Sequence, residues 1–482
     1  MIPANYLIMR DIKWIARIIL IVFGLIHYRE LPAHPGPPDS RPNFIFIFAD
    51  DLGWGDLGCY GNPEIQTPRL DEMASEGLLV TNFYVCSPVC SPSRTAVMTG
   101  HFPARHGIHQ HLTRDHEFNL ERGMPDWLDP SVTLLTRLMQ QNGYKTAHFG
   151  KWHLGNTMDA PSPGQYGIDV HYTNCNSDKK LVCPRHESDE VIVNQTIDFI
   201  EQHRNEPFYI NVWTLIPHAT LDPTKEQLAV YDRYAAREPA KSLGFSTPQQ
   251  VYYSCVTDLD LHIGRLLERL EDLGLSEKTI VVFSSDNGPE DIYFARHSGY
   301  GSPGPFRGRK RSLYEGGIRV PFIVQWKGHI SPGFIDDQSV IGAVDLLPTF
   351  CSLAGIDLPD GYRPDGEDVS EIFTGNTHER SSPLLWEWRG DIFGYTFNRS
   401  PMLALRWGKW KFLMNPDKSR IELYDFGTDP LNTEMDNVAD RNPEIVERFS
   451  DTLLEFSNSL PRGGLSESAG SMDYPMPERI TH

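Results

Sequence analysis

Cys90 opens the run Cys-Ser-Pro-Ser-Arg-Thr-Ala-Val-Met-Thr-Gly, which ends at Gly100 and places Pro92 and Arg94 at fixed offsets from the thiol. A cysteine is reactive only as its thiolate, so a small thiol near an arginine is chemistry only if its surroundings make it so. Two apolar runs elsewhere end in pairs of oxygen-bearing side chains: Asp50 and Asp51 follow 43–49, and Asp286 and Asn287 follow Val281-Val-Phe-Ser-Ser. Adjacent carboxylates ionise together readily only beside a cation. One such pair alone reads as a turn or a helix cap. Two pairs at two strand ends point to a shared hard ion, and an all-oxygen set favours calcium or magnesium over zinc.

Between the pairs lies Gly150-Lys-Trp-His-Leu-Gly155. Lys151 and His153 are two apart and point the same way on an extended segment, offering a fixed cation and a proton-transferring imidazole. His218 follows the apolar run 208–215 and is a candidate acid or base. Arg307, Arg309, Lys310 and Arg311 form a basic cluster in a chain whose formal net charge is −20. That charge lacks the basic footprint of a nucleic-acid partner, so an anionic ligand must be met by local cations. The cluster is therefore expected to build an anion pocket, with Lys310 the residue that reaches it.

At 482 residues the chain suits one large domain plus a smaller one. Continuous apolar runs at 43–49, 208–215, 279–284 and 320–326 read as strands buried on both faces. Amphipathic stretches at 67–75, 132–141, 189–202 and 254–273 read as helices between them. The alternation predicts an α/β fold, a mostly parallel sheet sandwiched by helices. After 365 the pattern shortens to strands at 384–388, 402–407, 409–414 and 421–424, then a helix at 443–460: a smaller antiparallel sheet with a helix on it. The expected division is a signal peptide or membrane anchor at 1–30, a Pro-rich linker at 31–42, a catalytic domain at 43–365 and a C-terminal subdomain at 366–482. The tail from Gly463 is expected to be poorly ordered.

The apolar stretch 18–26 follows Lys13 and Arg17, as in a leader for export, and a start at Met9 would give a more typical one. Contact with a membrane is expected only if that leader stays uncleaved. The chain has seven cysteines, of which Cys175 and Cys183 flank a short polar segment; a small disulfide loop and six free thiols besides Cys90 both stay open. Asn194-Gln-Thr196 is a glycosylation sequon if the source glycosylates.

Taken in order, the segments from Cys90 to Gly100 and from Gly150 to Gly155, with the acidic pairs, resemble the type I, formylglycine-dependent sulfatases. The likeness runs from Asn43 to the last C-terminal strands and is nearest to arylsulfatase-like and N-acetylgalactosamine sulfatase-like members. It implies an alkaline-phosphatase-like α/β domain, a calcium ion, and oxidation of Cys90 to formylglycine by a formylglycine-generating enzyme or maturase. It also implies that Asp50, Asp51, Asp286, Asn287 and the modified Cys90 hold the metal. Arg94 and Lys151 would stabilise the aldehyde hydrate and the sulfate; His153, His218 and Lys310 would handle protons and sulfate oxygens. In that scheme one hydrate oxygen attacks sulfur in line, and the alcohol leaves with a proton from His218 or Lys310. The second hydroxyl, deprotonated by His153, then expels sulfate and restores the aldehyde. A serine has no second hydroxyl with which to do this.

The implied substrate is a sulfated carbohydrate, such as a sulfated hexosamine or galactose, cleaved at an exposed end. The loops 101–116, 174–185 and 293–300, the last with Arg296 and His297, are expected around the sugar. One departure is Thr220, where members often have proline two positions after the histidine matching His218. Two further readings stand beside this one. A phosphomonoester or phosphonate hydrolase of the same superfamily would need more metal ligands than one site provides. A binding protein that kept only the fold would have lost some of these residues.

Overall fold

The computed structural model describes residues 41–173, 183–237, 246–292, 297–390, 396–427 and 434–461. The run after Arg41 forms β1, Asn43–Asp50, buried along its whole length. Its alternation splits the core in two: Phe44, Phe46 and Phe48 pack into one apolar layer, and Ile45, Ile47 and Ala49 into the other. The helices Cys90–Thr99, Leu135–Gln141 and Leu346–Leu353 cover the first face. Pro68–Ser75, Ser188–His203 and Pro248–Asp272 cover the second.

The other strands of the large sheet are β2 (Leu78–Tyr84), β3 (Lys145–Gly150), β4 (Val170–Thr173), β5 (Phe208–Pro217), β6 (Thr279–Ser285), β7 (Arg319–Gln325), β8 (Phe334–Asp336) and β9 (Ile341–Gly342). Among the described residues they lie in the order β4-β3-β5-β1-β6-β7-β2-β8, with β9 beside β2. β4, β3, β5, β1 and β6 are parallel, whereas β7 runs antiparallel to both β6 and β2. The sheet is therefore mixed, parallel in most of its pairings.

Parallel pairing brings the C-terminal ends of several strands to one edge. Asp50 pairs with Pro217, Ala49 with Ser285, and Gly150 with Trp213. Loops at such an edge converge on a ligand. The reversed strand β7 begins there, so the segment that feeds it arrives at the same place, and β2 ends there with Tyr84 beside Arg319.

A second sheet, β10 (Leu384–Glu387), β11 (Leu403–Trp407), β12 (Trp410–Met414) and β13 (Glu422–Asp425), is antiparallel in sequence order. The helix Pro443–Ser459 lays Phe449 and Leu453 on Leu403, Leu405, Phe412 and Leu423. The elements expected from the sequence are present within a few residues. The largest shift is the long helix, which begins at Pro248 because Thr247 accepts a hydrogen bond from the Gln250 backbone and proline suits the first turn. Among the elements not foreseen were β2, β3, β4, β8, β9 and the helices that start at Cys90 and at Leu346. The leader, the linker up to residue 40, Cys175 and the tail from 462 lie outside the described residues. The six described cysteines form no disulfide with one another, and no described helix is long and apolar enough to cross a membrane. The sequon Asn194 lies within a helix, its amide oxygen 2.7 Å from an Arg265 nitrogen.

A buried ion network joins the two sheets. Lys411 on β12 lies 2.8 Å from Glu315 and 3.7 Å from Glu434, and Arg319 on β7 lies 3.3 Å from Glu315. Removing one partner leaves the others charged and dry. Lys411→Ala is thus expected to lower the stability by about 3–5 kcal/mol, read by urea unfolding; a loss below ~1 kcal/mol would show that the network does not brace the sheets.

Candidate active site

Most site residues sit just past the end of a strand or in the first turns of a helix, and Lys310 lies on the segment between β6 and β7. Asp51 follows β1 with φ +69°, a left-handed conformation that aspartate tolerates better than most residues. Its backbone N–H donates to Asp286 Oδ1 at 3.1 Å, and Leu52 N–H donates to Ser285 Oγ at 3.0 Å, so the ends of β1 and β6 are tied together. Cys90 is the first residue of its helix, and Arg94 lies one turn on. All ten helix residues are buried, which explains the small side chains of the motif. Its terminal Gly100 has φ +64°, and a Cβ there would stand 2.7 Å from the Tyr362 hydroxyl. Gly150 ends β3 with φ +107° against the Trp213 carbonyl, letting the next residue, Lys151, donate its backbone N–H to that oxygen at 2.7 Å.

Three carboxylates and three cations interlock at the centre. Lys151 Nζ lies 2.8 and 2.7 Å from the two oxygens of Asp50, and Lys310 Nζ 2.6 and 2.8 Å from those of Asp51. Arg94 Nη2 lies 2.7 Å from Asp286 Oδ2 and 3.8 Å from Asp50 Oδ1. The guanidinium is wholly buried, 5.0 Å from the Trp213 ring centroid. Burial alone would raise the carboxyl pKa of Asp50, but Lys151, then His218 and Arg94, outweigh it and hold the group well below the usual range. Asp286 is pushed up, by burial first and by Asp50 second. The Cys90 thiol, 3.5 Å from Asp50 Oδ1, is pushed up to about 12 by burial and by Asp286. A thiol that keeps its proton is a poor nucleophile.

The same groups fit a hard cation. Asp50, Asp51, Cys90 and His218 bring ligand atoms within 4.8 Å of one another. Asn287 donates its amide to Asp51 Oδ1 at 2.8 Å and to the Gly288 carbonyl at 2.9 Å, leaving its own Oδ1 buried with no partner among the described residues. An orphaned acceptor beside two carboxylates is a ligand oxygen in waiting. Asp286 is also adjacent, but its oxygens are already engaged by Arg94 and the Asp51 backbone. His218 instead joins the tight group, its Nε2 3.8 Å from Asp51 Oδ2.

A pocket of about 220 Å³ opens on these groups, with Asp50, Lys151, His153 and His218 in its wall. Lys151 and His153 do face the same space, but not because the segment is extended: His153 has φ +56°. Its Nε2 lies 3.0 Å from the Leu112 carbonyl and must carry the proton, which leaves Nδ1 as the basic nitrogen, buried and without a partner. Burial, then Lys151 and Arg94, hold its pKa well below 6.5. His218 places Nδ1 2.6 Å from the Ala219 carbonyl, so its Nε2 faces the site.

The basic cluster, from which Lys310 was expected to reach the anion pocket, divides among several partners. Only Lys310 reaches the centre. Arg307 donates to the carbonyls of Phe397 and Glu434; Arg309 donates to the Glu290 and Gly299 carbonyls; Arg311 pairs with Glu290 at 2.5 Å. His297 precedes a short turn at Ser298–Tyr300 and is not in the pocket wall, and Arg296 lies outside the described residues. The wall instead includes Arg114, Asn156 and Arg185. Arg114 and Arg185 belong to two of the loops expected near a ligand, but nothing local marks a single loop arginine as a contact.

Comparison with known proteins places these features in context. A family model described as Sulfatase matches residues 42–356, and one described as N-sulphoglucosamine sulphohydrolase, C-terminal, matches 306–459. The chain is 33% identical over 388 residues to human N-acetylgalactosamine-6-sulfatase, covering 73% of this chain and 69% of that protein. It is 26% identical over 515 residues to N-acetylgalactosamine-6-O-sulfatase of Bacteroides thetaiotaomicron, covering 87% and 93%. Among solved structures, Ps i-CgsB in complex with k-i-k-neocarrahexaose superposes with a TM-score of 0.74 at 25% identity, covering 87% and 94%.

The imidazole geometry has a spectroscopic consequence. NMR titration is expected to find His153 as the Nε2–H tautomer, with a midpoint below 6.5. The unfolded chain then binds the extra proton first as pH falls, so stability decreases below pH about 6.5 and levels off above it. A midpoint at or above 6.5 would contradict the buried-base geometry.

Proposed function

The chain belongs to the sulfatase family and is a sulfuric ester hydrolase; on that premise we propose that it releases sulfate from a sulfated sugar, using a formylglycine made from Cys90 and a calcium ion. The observation that carries the reading is the placement of Cys90: at a helix start, touching Asp50, within the ring of Arg94, Lys151 and Lys310. As a thiol it stays protonated, so the position suits a residue that acts after conversion. Once oxidised to the aldehyde and hydrated, Cys90 supplies an oxygen nucleophile and a second hydroxyl that lets sulfate leave again.

The donor set suits calcium, with magnesium the alternative, held by Asp50, Asp51, Asn287, Asp286 and the modified Cys90, with His218 at its edge. A bound ion supplies charge to the sulfuryl oxygens. Lys151, Lys310 and Arg94 already form a cationic wall and need no reorganisation to receive an anion. His218 Nε2, facing the site, keeps its lone pair because Nδ1–H is given to the Ala219 carbonyl, so it gives a proton to the departing sugar oxygen only after taking one up. His153 Nδ1, fixed as a base by the Leu112 carbonyl, is placed to accept one. The net change is R–O–SO3− plus water giving R–OH, sulfate and a proton.

The small pocket suits a single terminal sugar residue. The names of the human and Bacteroides relatives make N-acetylgalactosamine 6-sulfate the first sugar to try. The leader at 18–26 supports an exported enzyme that meets its formylglycine-generating enzyme or maturase on the way out.

Protein made with a maturase is expected to show the aldehyde at position 90 by peptide mass spectrometry and to release sulfate from one or two members of a defined panel. Cys90→Ala should lose turnover by roughly 10³-fold or more, and chelation should do the same. Full turnover with Cys90 unmodified would sink the aldehyde, and full turnover after chelation together with Asp51→Ala would sink the ion.

A further inference from the structure

We propose that Arg114 and Arg185 form a second anion-binding position in the catalytic pocket, so that the preferred sugar carries a carboxylate or a second sulfate near the scissile one. The inference rests on the sulfatase reading of the site and adds the class of substrate. It begins with which cations are already committed. Lys151 is bound to Asp50, Lys310 to Asp51, Arg94 to Asp286 and Arg311 to Glu290. Arg114 and Arg185 are not. Both line the pocket, in which Asp50 is the only carboxylate of the wall, and neither has a carboxylate within 4.0 Å among the described residues.

The two arginines differ in a useful way. Arg114 is exposed and makes no hydrogen bond among the described residues. Arg185 is anchored: its Nη2 donates to the Leu215 carbonyl at 2.5 Å and to the His218 carbonyl at 2.8 Å. Both bonds use one nitrogen, so Nε is buried with no acceptor and Nη1 is undonated among the described residues. Its anchor is the backbone of His218, so its free donors are held in fixed register with the reacting centre. A guanidinium so held presents a planar fork to carboxylate or sulfate oxygens.

Charge decides between ligands. The scissile sulfate is one anion, and the central lysines, Arg94 and a bound ion already answer it. A neutral sugar bearing one sulfate would cover two further arginines without pairing them, and covering unpaired charge is unfavourable. Two arginines in one small pocket, with no carboxylate within 4.0 Å of either among the described residues, leave positive charge there for a ligand to meet. A second anion on the same or the adjoining sugar removes the conflict.

The test is calorimetric binding to the calcium-loaded chain with Cys90 left unmodified, so that no ligand is consumed. The probes are N-acetylgalactosamine 6-sulfate, its 4,6-disulfate, and the 6-sulfate linked to a uronate. At least one dianion is expected to bind roughly tenfold or more tightly than the monosulfate, with a steeper salt dependence. The probe that gains identifies the second group as sulfate or carboxylate. The preference should fall toward one in Arg114→Gln and in Arg185→Gln, and return in part in Arg185→Lys. Arg114 is exposed, so its variant tests the idea even if Arg185→Gln unfolds. Equal affinity for all three probes, or a preference that both substitutions leave intact, overturns the inference while sulfate release by the modified enzyme still stands. Failure to bind any probe and to release sulfate from any sugar overturns the inference and the sulfatase reading together.

Discussion

Three buried carboxylates within one hydrogen-bonded cluster cannot all stay ionised unless positive charge is brought to them, and the rest of the site follows from that requirement. Asp50, Asp51 and Asp286 are each 1% exposed or less, so solvent screens almost none of their repulsion. Lys151, Lys310 and Arg94 supply the balance one to one. Those cations are also the groups a sulfate ester needs, so the structure that keeps the acidic cluster folded is the structure that receives the substrate. Burial first, and Asp286 second, hold the Cys90 thiol in the protonated form against the opposing pull of Lys151 and Lys310.

The fold makes that cluster possible through strand direction. β1, β3, β5 and β6 are parallel and finish at one edge, which delivers Asp50, Lys151, His218 and Asp286 from widely separated parts of the chain. β7 runs the other way and therefore starts at this edge, so the segment before it can carry Lys310 in. The buried network of Lys411, Glu315, Arg319 and Glu434 then fixes the C-terminal sheet to the start of β7. Through it the smaller sheet braces the strand next to Lys310.

The two histidines show how backbone sets chemistry. His153 and His218 each spend one ring nitrogen on a carbonyl, from Leu112 and from Ala219, and present the other to the pocket. Both neutral imidazoles are thus held with one basic nitrogen free before any ligand arrives, and either becomes a donor only after taking up a proton. Arg185, anchored on the carbonyls of Leu215 and His218, extends the same device to the pocket wall.

By itself the sequence determined the ends of β1 and β6, the acidic pairs, the Cys90 motif and the succession of a large sheet and a smaller one, because each is a local pattern. Apolar runs that fill both faces of a sheet read as buried strands, and a carboxylate at a strand end stays at that end whatever surrounds it. Tertiary structure decided where side chains point. The basic cluster of four is uniform in sequence, yet Arg307 is taken by the carbonyls of Phe397 and Glu434, Arg309 and Arg311 by neighbouring backbone and Glu290, and Lys310 is left for the centre. His153 reaches the pocket through a left-handed backbone rather than an extended one, and Arg114 and Arg185 enter it from loops with no local signature. Direction depends on partners tens to hundreds of residues away, and no spacing along the chain records them.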